Sequence, residues 1–380
     1  MTHKFIFPLM VVLALVLSSC NLPSSQPKEA PEITNIFPTA NVQATAKQAN
    51  ISTQAPSNTP LPTATMTPTA TNTPETVAYL ASDTYIDDRS TPSQVIVSYF
   101  NAVNRKEYLR AYAYWKSPGS SLGSFTSFAN GYADTASVDL VFGQITGDAG
   151  AGQIYYTVPV ILKAKLTNGT KANWAACYVI HHSQPGFYGA PPINPMGIDR
   201  GSAKISDMNA KDTDVLLTAC NGYPSGGNPV SASGTTLDID NTNYLDNRSG
   251  PIETISSLLN ALNLKEYVRA YSYFQNPSTF PGPYNSYAAG FSDTDVVTVT
   301  FGSVQNDAGA GNLYYKVPLA MKVLTTTGSI QTFVGCYTLH LSQPSFQGTP
   351  PFRPLGIKTG KFTKVDNSLD ANALLPSACK

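Results

Sequence analysis

The chain has 380 residues and carries 24 Lys+Arg against 24 Asp+Glu, with charged residues at only 13% of the total, about half the usual share of soluble domains. Balanced charge without a basic cluster excludes nucleic-acid binding, which depends on neutralising phosphates. The part expected to fold has no amphipathic basic helix that would lie on a membrane surface.

In chain order, Lys4 precedes an apolar run over residues 5–17, followed by Leu17-Ser18-Ser19-Cys20. A run of about 13 residues is too short for the ~20 needed to cross hydrocarbon and fits a secretory leader. Small residues before a cysteine resemble the lipobox of bacterial lipoproteins. That resemblance implies a signal peptide over 1–20, cleavage before Cys20, lipidation of Cys20 and a lipid bilayer as partner. Residues 21–83 are rich in Thr, Pro, Ala, Ser and Asn. They have too little apolar surface to offset the entropy of folding, so they read as a disordered, extended stalk suited to O-linked sugars.

From Tyr85 onward the chain is written twice. YIDDRS at 85–90 returns as YLDNRS at 244–249, KEYLRAYAY at 106–114 as KEYVRAYSY at 265–273, and DAGAG at 148–152 as DAGAG at 307–311. The offset is 159 residues throughout, with about two positions in five identical and no gap. A period this long is a duplicated domain, since solenoid units repeat every 20–50 residues or so. The boundaries are 84–220 for copy one, a linker over 221–243, and 244–380 for copy two.

Within copy one, Pro92 opens a helix whose apolar positions Val95, Tyr99, Ala102 and Val103 share a face. Residues 106–115 form a second helix ended by Pro118 (Pro277 in copy two), and residues 125–132 a short third. Strand patterns follow over 137–145, 154–166, 173–182 and 201–206, with DAGAG in a flexible hairpin turn and Pro159 marking an edge or a bulge. Helices followed by long strands make an α+β fold. An immunoglobulin-like sandwich is disfavoured by the helical start of each copy.

The pattern VIVSYFNAVNRKEYLRAYAYW, the GYADT element and the helices-then-sheet order resemble the nuclear-transport-factor-two-like (SnoaL-like) superfamily. That resemblance implies two tandem copies of a cone-like domain, two or three helices closing over a curved antiparallel sheet around a cavity. Tandem copies on a Thr/Pro stalk further resemble surface lipoproteins of the Chloroflexi type, surface-exposed and extracytoplasmic.

Setting Cys20 aside, four of the five cysteines remain, two per copy at equivalent positions. Duplication favours the disulfides Cys177–Cys220 and Cys336–Cys379, each closing a loop of roughly 44 residues and contributing about 4 kcal/mol in the chain-entropy picture. Neither copy has the CxxC or Cys/His clustering of a zinc site, so no metal and no cofactor is expected. DAGAG lacks the GxxxxGK[ST] pattern of a phosphate loop and the alternating carboxylates of a calcium loop.

Candidate chemistry is sparse. A cavity enzyme of cyclase, isomerase or dehydratase type would use Asp134 with His181 and Asp293 with His340 as acid–base pairs. A turn aspartate explains Asp134 equally well, and on a strand His181 shares a face with Cys177 and Val179. Tyrosines dominate the aromatic set, and Tyr112, Tyr114, Tyr155, Tyr271, Tyr273 and Tyr314 are the candidates for ligand contact. Lys106, Glu107 and Arg110, with Lys265, Glu266 and Arg269, read as a solvated helix face, with Arg110 buried against Asp87 as the alternative. The proline-rich segments 183–198 and 342–357 could form a lip or pack down. The expectation is a membrane-anchored protein with two non-catalytic binding domains for a glycan, a small hydrophobic ligand or an envelope protein. An enzyme and a structural spacer of the envelope are the alternatives.

Overall fold

The computed structural model describes residues 84–223, 228–230 and 243–380. Cys20, the leader and the stalk lie outside the described residues, as does most of the linker. Among the described residues no helix is long and apolar enough to cross a membrane.

Copy one opens with α1 (Pro92–Asn104), whose first turn is closed by the Thr91 hydroxyl accepting from the Gln94 N–H, a cap worth about 1 kcal/mol. The second helix, α2 (Tyr108–Tyr112), is shorter than expected. Lys106 takes a positive φ of 59° and the chain turns before Glu107, so helical geometry resumes only at Tyr108. Pro118 begins α3 (Pro118–Leu122) rather than simply ending α2, because proline is well tolerated in a first turn. The helix α4 (Phe125–Asn130) follows.

The sheet of copy one comprises β1 (Thr135–Phe142), β2 (Ile145–Gly150), β3 (Gln153–Leu166), β4 (Lys171–Ser183) and β5 (Gly197–Ser206). All pairings are antiparallel, in the order β5-β4-β3, with β1 and β2 lying end to end along β3. β3 is therefore central, which excludes the edge among the two readings of Pro159 and leaves the bulge. Pro159 lies where β1 has ended and β2 has not begun, and its carbonyl accepts from the Gly143 N–H. The missing donor of proline falls in that break. The hairpin is tighter than expected too. Asp148, Ala149 and Gly150 belong to β2, and only Ala151 (φ 49°) and Gly152 (φ 74°) turn, the two positive φ values of a strand-compatible two-residue turn.

The helix α5 (Asp212–Ala219) crosses the outer face of this sheet, where Leu216 packs on Val141 and Ile161. Cys220, one residue later, bridges to Cys177 of β4. Part of the expected linker is strand. β6 (Asn228–Val230) pairs with β2 and extends the sheet.

Copy two repeats the plan with α6 (Pro251–Asn263), α7 (Tyr267–Tyr271) and α8 (Tyr284–Ala289). Its sheet is β7 (Thr294–Phe301), β8 (Gln305–Gly309), β9 (Asn312–Thr325), β10 (Ile330–Ser342) and β11 (Gly356–Val365), ending in α9 (Ala371–Leu374). Its order is β11-β10-β9-β7, with β8 also on β9. The Cys336–Cys379 bridge occupies the same place as its counterpart. Two such disulfides belong to an oxidising, extracytoplasmic compartment.

Each copy has its own apolar core on the helix side of its sheet, one centred on α1, β1, β3 and β4, the other on α6, β9 and β10. The helix is tied to the sheet by an asparagine. The Asn104 amide donates to the Val138 carbonyl (3.0 Å) and accepts from the Val138 N–H (2.8 Å), and Asn263 does the same at Val297.

The repeated YIDDRS and YLDNRS segments join the copies by reciprocal bonds. The Arg89 N–H donates to the Asp246 carbonyl (2.7 Å) and the Arg248 N–H to the Asp87 carbonyl (2.6 Å). The Asp87 N–H donates to the Ser249 hydroxyl (2.8 Å) and the Asp246 N–H to the Ser90 hydroxyl (2.9 Å). Each bond has its mate 159 residues on, so the junction has the self-complementary pattern of a two-fold dimer interface within one chain. Tyr244 packs against the core of copy one and Tyr85 against that of copy two.

Candidate functional site

The sheet register separates the expected acid–base pairs. Asp134 precedes Thr135, which pairs with Leu166 at one end of β3, while His181 pairs with Tyr155 near the other end. Those β3 positions are eleven residues apart, about 36 Å at ~3.3 Å per residue. Thr294 and His340 are placed the same way along β9, opposite Thr325 and Tyr314. Among the described residues neither expected acid–base pair is assembled.

The histidines also face away from the cores. His181 lies on the outer face with Cys177, stacked on Tyr155 at 4.5 Å, with its Nε2 2.6 Å from Gln153 Oε1. His340 stacks on Tyr314 at 4.6 Å and meets Asn312 and Gln275. Burial lowers the pKa of both, helped by Lys116 at His181 and Lys358 at His340. Stacked on tyrosine with lowered pKa, both histidines brace side chains on an outer face, and neither meets the aspartate expected of it.

The tyrosine candidates divide into three kinds. Tyr114 and Tyr273 are wholly buried, each donating its hydroxyl to an aspartate, Asp87 at 2.6 Å and Asp246 at 3.0 Å. Tyr112 and Tyr271 are buried and donate to the Gly123 and Gly282 carbonyls at 2.7 Å. Tyr155 is exposed and Tyr314 half-buried on the outer face beside the histidines.

The charged helix face expected at Lys106, Glu107 and Arg110 is overturned at its centre. Arg110 and Arg269 are each 1% exposed. The Arg110 Nε donates to Glu107 (2.6 Å), its Nη2 to Asn101 Oδ1 (2.8 Å) and its Nη1 to the Ile86 carbonyl, and its plane lies 4.6 Å from the Tyr85 ring. Arg269 repeats the set with Glu266, Asn260, Leu245 and Tyr244. Burial opposes the charge on Arg110, but Tyr114, Tyr85 and Glu107 together raise its pKa above the ordinary value. The arginine is a core element because its five N–H groups can all be directed at fixed acceptors. Sequence offered one cue, the retention of Arg, Glu and the opening Tyr in both copies.

The proline-rich segments neither roof a core cavity nor simply pack down. Met196 and Leu355 anchor their ends in the cores. Their exposed Phe187 and Phe346 rings rest on Gly152 and Gly311, where a Cβ would come within 2.7 and 2.8 Å of the ring.

The copies differ on the core side. Copy two has an apolar cleft of about 60 Å³ between α6 and its sheet, with Leu259, Phe291, Asp293, Phe333, Tyr337 and Phe362 in its wall. Beside the corresponding helix of copy one, Tyr99, Phe100 and Tyr178 form a cluster with ring centroids 4.7–6.4 Å apart. Tyr99 also shares a 2.7 Å hydrogen bond with Tyr132. Leu258, Leu259 and Phe291 stand at these positions in copy two, so the helix side of the wall recedes and the Tyr–Tyr bond is lost. On the sheet side Gly335 admits Phe362: a Cβ there would come within 2.6 Å of that ring. Copy one has Ala176 and Ala203 instead.

Among the described residues no group of His, Cys, Asp or Glu could hold a metal ion. No protein-family model matches the chain, and no curated protein is similar to it.

Proposed function

We propose that this protein is an extracytoplasmic binding lipoprotein, anchored to the bilayer through acylated Cys20, in which copy two takes a small apolar ligand or the apolar end of a larger one. The supporting observation is the cleft of copy two, lined mainly by aliphatic and aromatic carbon, with Asp293 as its one carboxylate and, among the described residues, no His, Lys or Arg in its wall. Such a site holds a ligand by burial, at roughly 25 cal/mol per Å² of apolar surface removed from water, and offers no acid–base pair for turnover.

Copy one serves as the packed support that holds the pair of copies on the stalk. The helices on one face of each antiparallel sheet, with the cleft between them in copy two, support reading both copies as cones of the nuclear-transport-factor-two-like kind.

The test is saturation-transfer NMR on the full chain with 1-octanol as probe. Transfer strongest at the terminal methyl group is expected, and Leu259→Phe, which fills the cleft, abolishes it. Transfer unchanged by Leu259→Phe refutes the reading.

A further inference from the structure

The junction between the copies encloses a second and larger space, a groove of about 490 Å³, within the range of small-molecule sites. Its floor is the repeated segment itself: Asp87 and Arg89 from copy one, Asp246 and Arg248 from copy two. Its walls include the two proline-rich segments, through Ile193 and Pro195 on one side and Phe352 and Pro354 on the other. These wall residues correspond across the same 159-residue offset, so the groove lies about the pseudo-two-fold of the junction.

The polar floor is held rigid. Arg89 donates through Nη1 to the Met196 carbonyl (2.9 Å) and through Nη2 to the Ala113 carbonyl (3.0 Å), with its plane 4.2 Å from the Tyr114 ring. A guanidinium has five N–H groups, and among the described residues no carboxylate lies within 4 Å of this one, so it keeps donors for a ligand. Arg248 bonds the carbonyl and hydroxyl of Ser272 and sits 3.6 Å from Asp246. The Asp87 and Asp246 carboxylates each accept from two tyrosine hydroxyls and retain lone pairs, since a carboxylate offers about four. Side chains pinned this way lose little freedom when a ligand arrives.

Two guanidinium and two carboxylate groups give the floor a formal charge of zero. A charged ligand would gain against one pair and lose against the other. A neutral ligand bearing hydroxyls would gain from both, accepting from arginine and donating to aspartate. The walls add proline rings and a phenyl group, apolar faces suited to the C–H face of a saturated ring. We infer that the groove is a binding site for a neutral saccharide of one or two rings, distinct from the apolar cleft of copy two.

The experiment is saturation-transfer NMR on the full chain with cellobiose, maltose and N,N′-diacetylchitobiose as probes. Transfer to at least one of them is expected. Phe352→Ala removes a half-exposed wall residue that belongs to neither core, and should weaken the Kd at least tenfold while leaving the unfolding midpoint and both disulfides unchanged. Leu259→Phe, which blocks the copy-two cleft, should leave saccharide binding intact, so failure at one site is distinguishable from failure at the other. Absence of transfer from all three sugars overturns the inference, as does transfer that survives Phe352→Ala combined with Ile193→Ala.

Discussion

His182 occupies the core face of β4 at the junction, 6% exposed, where copy two has the aliphatic Leu341. Its ring packs at a tilt against Tyr244, centroids 4.5 Å apart, and its Nε2 has no hydrogen-bond partner. Burial first, then Arg269, Lys116 and His181, push its pKa down from 6.5 to about 4, against the opposing pull of Asp246. The unfolded chain therefore takes up a proton at this site before the folded chain does. Stability is full above about pH 6.5 and falls as pH drops toward 4. At 1.36 kcal/mol per pKa unit the loss reaches about 2 kcal/mol at pH 5 and about 3 kcal/mol at pH 4. His182→Leu removes the proton uptake and the unpartnered nitrogen together. Urea unfolding of wild type and His182→Leu at pH 7.5, 5 and 4 measures the effect. The variant should be the more stable at every pH, and its advantage should widen by about 3 kcal/mol between the extremes. An advantage that stays constant with pH would refute the argument, because it would mean His182 titrates alike in both states.

Three further outcomes are expected. Replacing Cys177 and Cys220 together by alanine opens a loop with a sequence separation of 43 residues and should cost about 4 kcal/mol; calorimetry with and without reductant checks it, reductant leaving that site of the variant unaffected. Arg110→Met leaves the buried Glu107 with Arg105 as its remaining ion-pair partner and should destabilise by about 3 kcal/mol, the low end for breaking a buried pair, much of it recovered when Glu107→Leu is added, as read from paired thermal melts. Asn104→Ala strands the N–H and carbonyl of Val138 and should cost about 2–4 kcal/mol at roughly 1–3 kcal/mol per unsatisfied group, less what water restores, with amide exchange accelerated first in β1.

Much of the architecture follows from local pattern. The 159-residue offset, the α1 face and the strand alternation are each visible in short windows, because helix and sheet periodicities depend on which side a residue must bury. The duplication also indicated the disulfide partners, since each pair repeats as a unit. Pro159 left an edge and a bulge both open because a strand's neighbours are not a local property: the irregular break between β1 and β2 that accommodates it is made by a different segment of chain. Arg110 misled for a related reason. A charged residue on a short helix is solvated unless distant acceptors surround it, and Ile86, Asn101 and Tyr85 reach it only in the fold.

The candidate sites divide the same way. Residue identities alone established that the chain carries two copies, each with its own cysteine pair and a histidine four residues after Cys177 or Cys336. Whether Asp134 meets His181, which copy keeps a cleft, and that YIDDRS floors a groove depended on register, volume and the pairing of two distant segments. Those are properties of surfaces brought together across the chain, and a sequence specifies them only through the whole set of contacts it makes at once.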